Sequence, residues 1–86
     1  MSQRYHGKVT NPESLGLMLQ QARLVAGLTQ RELAAEIGTT QKYIWELENG
    51  KTSIAVNRLF AAMHATGMEL TATITDPSVS ESGNDG

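Results

Sequence analysis

The stretch LTQRELAAEIGTTQKYIWELENGK, residues 28–51, decides the fold. Thr29 and Glu32 form a T-x-x-E capping box, which opens a helix at Gln30. Leu33, Ala34 and Ile37 recur at helical spacing and mark its inner face. Gly38 stands where the chain must turn sharply, a position that favours positive φ. Thr40 then caps a second helix, Gln41 to Glu48, with Ile44 and Leu47 inward, and Asn49-Gly50 ends it. The small side chain of Ala34 lets the two helices cross closely. Ile44 and Leu47 anchor the second helix to the core.

Working outward, Asn11-Pro12-Glu13 starts an earlier helix with a cap, a proline at the first helical position and an acid in the first turn. Leu15, Met18, Leu19, Ala22, Val25 and Ala26 give it one apolar face, and Gly27 stops it. Downstream, Ser53 caps a fourth helix reaching about Thr66, with Val56, Leu59, Phe60 and Met63 inward and Gly67 at its end. In MELTATIT, residues 68–75, the period changes to two, a strand pattern with Leu70, Ala72 and Ile74 on one side. A lone strand leaves backbone groups unpaired, so it needs a partner. The economical partner is the same strand of a second copy, antiparallel about a two-fold axis. Residues 1–10 show no period and read as a flexible arm. Residues 76–86, opened by Asp76-Pro77, read as a disordered acidic tail. The expected organisation is thus an arm (1–10), a four-helix domain (11–67), a dimerisation strand (68–75) and a tail (76–86).

Eighty-six residues allow one small domain, for which oligomerisation is a natural source of extra stability. The absence of cysteine excludes disulfides and thiolate metal sites. No apolar run approaches the length of a membrane helix, and the polar start MSQRYHGKVT does not resemble a secretory signal. A soluble cytoplasmic protein, nucleoid-associated through DNA, is expected. The net charge is −2, but residues 1–75 carry seven basic and six acidic side chains, a balance of +1. The acidity belongs to Asp76, Glu81 and Asp85. So weak a positive field implies modest non-specific affinity for nucleic acid and reliance on placed contacts.

Two short helices about a tight turn are the layout that carries a second, recognition helix into the DNA major groove. On that helix Gln41, Lys42, Trp45 and Glu46 lie opposite Ile44 and Leu47 and should face the groove. Trp45 can pack on a sugar or a thymine methyl, or it can sit at a dimer or partner surface. Glu46 can accept from a cytosine amine or pair with Lys42 one turn earlier. Tyr43 packs at the domain edge, its hydroxyl within reach of a phosphate. His6 and His64 have no carboxylates at metal-ligand spacing and read as solvent-facing. GKTS, residues 50–53, lacks the upstream glycine of a phosphate loop, and no Ser or Thr has a His–Asp partner set. Neither an enzyme nor a cofactor is expected.

IGTTQKYIWELENGK, with the rest of the 28–51 stretch, resembles the Cro/C1-type helix-turn-helix of phage repressors. The resemblance implies that Gln30 contacts a phosphate and braces Gln41, and that Gln41 reads an adenine. It also implies an internal pair between Arg23 and Glu48, and phosphate contacts at Thr29, Asn49 and Lys51. Lys42, Trp45 and Glu46 depart from the family pattern. A longer resemblance covers about residues 11–75. The N-P-E-x-L-G start, and ATGMEL leading into LTATI, are similar to HipB-type antitoxins. That likeness implies a homodimer joined through Leu70, Ala72 and Ile74, autorepression at a palindromic operator on double-stranded DNA, and binding to a HipA-like serine/threonine kinase toxin. The fold class expected is all-α: a compact four-helix Cro/C1 domain with one C-terminal strand paired across the homodimer. Alternatives are a solitary or phage-type regulator without a toxin, and a mainly protein-binding inhibitor with secondary DNA contact.

Overall fold

A computed structural model describes residues 4–76. The elements in order are β1 (Arg4–Val9), α1 (Pro12–Val25), α2 (Gln30–Ile37), α3 (Gln41–Glu48), α4 (Ile54–Thr66) and β2 (Leu70–Thr75). Side chains close the helix N-termini. The Asn11 carbonyl oxygen Oδ1 accepts from Ser14 N at 2.7 Å, and Ser14 Oγ accepts from Asn11 N at 3.0 Å. Thr29 and Glu32 form the same reciprocal box on α2, at 3.0 and 2.8 Å. Thr40 caps α3 and Ser53 caps α4. Each satisfies an amide that the helix itself leaves without a partner. Gly38 turns the chain from α2 toward α3 at φ 77°, a left-handed conformation that a Cβ disfavours.

The main departure from expectation concerns the strand. β2 pairs antiparallel with β1 of its own chain, from Arg4 opposite Thr75 to Val9 opposite Leu70. Among the described residues, the first segment is therefore a strand rather than a flexible arm, and the fold is four helices with a two-stranded sheet. The alternation of β2 was legible, whereas its partner was not: RYHGKV has only Tyr5 and Val9 as large apolar residues, with a glycine between them. Residues 77–86, expected as a disordered tail, and residues 1–3 lie outside the described part.

The pairing places Tyr5, Gly7 and Val9 beside Ile74, Ala72 and Leu70. Val9 packs with Phe60 and Met63 as a buried cluster, flanked by Met18, Val56 and Ala72. Ile74 is buried as well. Ala72 and Ile74, expected to serve a dimer seam, thus fill the interior of their own chain. A second centre lies between α2 and α3, around Ala34 and Ile44. Gly16 joins α1 to this centre. A Cβ there would collide with the carbonyl oxygens of Leu47 and Glu48, so α1 and α3 approach backbone to backbone.

Several residues expected inside are at the surface. Leu15, Ala26, Ile37 and Leu59 are exposed. The protein is only 17 Å across its thinnest direction, which leaves few apolar positions with neighbours on all sides.

Candidate nucleic-acid interface

A chain of hydrogen bonds ties the two glutamines to a buried acid. Gln41 Nε2 donates to Gln30 Oε1 at 3.4 Å, and Gln30 Nε2 donates to Glu48 Oε1 at 3.0 Å. Arg23, on α1, closes on the same carboxylate: Nε lies 2.5 Å from Oε2 and Nη2 lies 3.1 Å from Oε1. Its third nitrogen, Nη1, donates to Leu28 O at 2.8 Å. One guanidinium therefore joins α1, the α1–α2 connection and α3. The fork of an arginine suits this task because its donors are coplanar and held at fixed angles.

The ionisation of Glu48 follows from these partners. Burial by itself would raise the carboxyl. The bonds from Arg23 and Gln30, the Arg23 charge and a bond from Gln20 outweigh burial and hold it below its ordinary value. Arg23 is shifted up, chiefly by the hydrogen bond to Glu48. The pair is internal, with side-chain exposures of 9% for Arg23 and 1% for Glu48. It braces the domain and is not free to meet a ligand.

Above this brace an open cleft of about 360 Å³ is lined by Arg23, Thr29, Gln30, Arg31 and Gln41. It lies at the N-terminus of α2, where helix amides favour negative charge. Arg31 is a cation at this cleft that the motif pattern did not single out. Its position in the first turn of α2, next to Gln30, was the available signal. Gln20 was likewise missed, because only the packing of α1 on α3 brings it to Glu48.

On α3, Gln41, Lys42, Tyr43 and Trp45 are exposed, and Glu46 is half-buried. Lys42 and Glu46 do not pair, although they are one turn apart. Arg23 and Glu48, by contrast, form an ion pair within bonding distance. Asn49 Nδ2 donates to Trp45 O at 2.8 Å, and Lys51 Nζ stands 5.2 Å from the centroid of the Trp45 ring. Thr29, Asn49 and Lys51 are exposed, flanking the two motif helices. Away from this face, His64 Nε2 lies 2.7 Å from Thr10 O, and His6 Nδ1 lies 3.3 Å from Thr73 Oγ1. Both histidines are exposed and neither shares a site with the glutamines.

A helix-turn-helix family model matches residues 19–72. The chain belongs to the Cro/C1-type helix-turn-helix family. The match runs from α1 into β2 and contains the whole brace and both glutamines. Membership makes the protein a DNA-binding transcriptional regulator, with α3 in the position of the recognition helix. No solved structure matches the chain. No described helix is long and apolar enough to cross a membrane.

Proposed function

We propose that this Cro/C1-type protein is a homodimeric, sequence-specific repressor of its own operon, and the antitoxin of a HipA-like kinase toxin. In this reading it acts by binding and performs no catalysis. The observation that carries the DNA reading is the Gln41–Gln30–Glu48–Arg23 chain. A glutamine anchored at one end of its amide keeps the rest of that amide in a set direction. An adenine edge, with one donor and one acceptor in the major groove, is its complement. Gln30 and Thr29 would face a phosphate at the α2 N-terminus. Lys42, Glu46 and Tyr43 would contact base edges or backbone nearby, with Asn49 and Lys51 on the flanking phosphate.

Two copies are needed to read a palindrome, and their recognition helices would enter successive major grooves about 34–36 Å apart. Pairing with β1 leaves the other edge of β2 open among the described residues. Exposed Met68 and Leu70 lie at the start of that strand. Pairing of two β2 edges about a two-fold would make a four-stranded sheet. Leu70→Lys should then move the protein toward monomer in sedimentation velocity, and a persistent dimer would place the interface elsewhere.

Titration on the protein's own upstream duplex tests the DNA reading. Affinity no higher than for a random duplex removes it. Co-expression with the neighbouring reading frame tests the antitoxin reading. A kinase-like protein should co-purify. Its absence favours a solitary regulator.

A further inference from the structure

We propose that Trp45 is a specificity-determining residue that reads a thymine methyl in the major groove, with Lys51 clamping its ring and reaching the adjoining phosphate. The proposal rests on the DNA-binding reading above.

Trp45 lies one turn beyond Gln41 and so shares its face of α3. Gln41 is placed at the cleft by its bond to Gln30, so the same face of α3 carries the indole to the groove. Trp45 is 46% exposed and lies outside the buried apolar cluster of the described residues. Lys51 is a charged neighbour whose ammonium stands over the ring at 5.2 Å. The Asn49 amide, donating to Trp45 O, closes the end of the helix where the chain turns back toward Lys51. A cation held over an indole face is a cation–π contact. It leaves exposed surface on the residue for a second contact.

An indole on a base-reading face offers mainly apolar surface. In the major groove the apolar group on a base edge is the thymine C5-methyl. Gln41 and Trp45 are four residues apart, about 6 Å along a helix rising 1.5 Å per residue. Base pairs are spaced about 3.4 Å. The thymine should therefore lie about two base pairs from the adenine that Gln41 reads. Lys51, beyond the end of the helix, would lie beside the backbone, where an ammonium serves as a phosphate contact.

The experiment replaces each thymine of the bound upstream site singly by deoxyuridine, which removes only the methyl. At one position per half-site the wild-type protein should lose about fourfold in affinity, the worth of one buried methyl. Trp45→Ala should be indifferent to that replacement while keeping its preference at the Gln41 position. Trp45→Phe, which retains a ring, should keep part of the sensitivity and serves if the alanine variant does not fold. Wild-type binding that is tight but equal on every deoxyuridine duplex overturns the proposal and leaves the DNA reading intact. Failure to prefer the upstream duplex at all would instead remove that reading.

Lys51→Met supplies the second arm. Trp45 is the single tryptophan, so its emission reports on its own ring. Emission of the free protein should change when the ammonium leaves. Affinity should fall on all sequences alike, with the salt slope reduced by about one. Unchanged emission overturns the clamp.

Discussion

The two halves of this small domain are held together by different forces. Around α2 and α3, beside the apolar contact of Ala34 and Ile44, most joints are polar: side-chain caps, a glutamine pair and one internal ion pair. Around β1, β2 and α4 they are apolar and long-range: Val9, Phe60 and Met63 close on strands from opposite ends of the chain. The polar half holds Gln30 and Gln41 in set directions because hydrogen bonds depend on angle. The apolar half supplies burial, which has no direction. In the proposed reading, where Gln41 is presented to DNA at a fixed angle, the directional contacts lie beside the groove face and the non-directional ones behind it.

The sharpest way to separate the halves is to damage each in turn. Arg23→Met leaves the Glu48 carboxylate buried without its cation and should cost about 3–5 kcal/mol in urea unfolding. Phe60→Ala should cost a similar 3–5 kcal/mol by opening a cavity in the other half. Acid distinguishes them. The Glu48 carboxyl sits below its ordinary value of 4.5 in the folded protein. The unfolded chain therefore binds the proton first as pH falls. The stabilisation is complete above about pH 4.5 and is lost as pH drops through the lower, folded value. Phe60→Ala should keep this acid-sensitive slope, and Arg23→Met should flatten it. Equal slopes in the two variants would mean that the pair does not govern the polar half.

The joint between α1 and α3 comes next in size. Gly16→Ala should cost about 1–3 kcal/mol by overpacking against backbone that cannot swing aside. Its thermal midpoint should fall, and DNA affinity should fall with it, because α3 carries the face proposed to read DNA. Gln41→Ala should do the reverse. It should leave the midpoint in place and cost about 1–3 kcal/mol of binding at one base pair, measured on a panel of single-base operator variants. The smallest effect belongs to the cap. Thr29→Ala should cost about 1 kcal/mol of stability and nothing at β1–β2, which amide exchange resolves residue by residue.

Legibility in the sequence followed the same division. The motif helices, their caps and the turn glycine depend on residues within four positions of one another, and they could be placed from spacing. The Arg23–Glu48 pair spans 25 residues and came from the family resemblance. Neither route showed that Gln20 and Gln30 share Glu48, because the meeting of three helices at one carboxylate is a matter of packing. The β2 pattern was visible as alternation. Its partner reads as a second copy because β1, with Gly7 at its middle, carries almost no apolar signal of its own. Gly7 lies against the thioether of Met18 of α1, which occupies the space a Cβ would take. The same pattern read alone is a break in a strand.

By itself, then, the sequence determined where each helix begins and ends, which face of α3 is polar and which two glutamines open the motif helices. All of these rest on local hydrogen bonding and helical period. Only the tertiary structure decided that residues 4–9 complete a sheet with residues 70–75, that Gly16 brings two backbones into contact and that Lys51 stands over Trp45. Each of these joins segments whose meeting depends on the path of the whole chain, and no local propensity encodes that path.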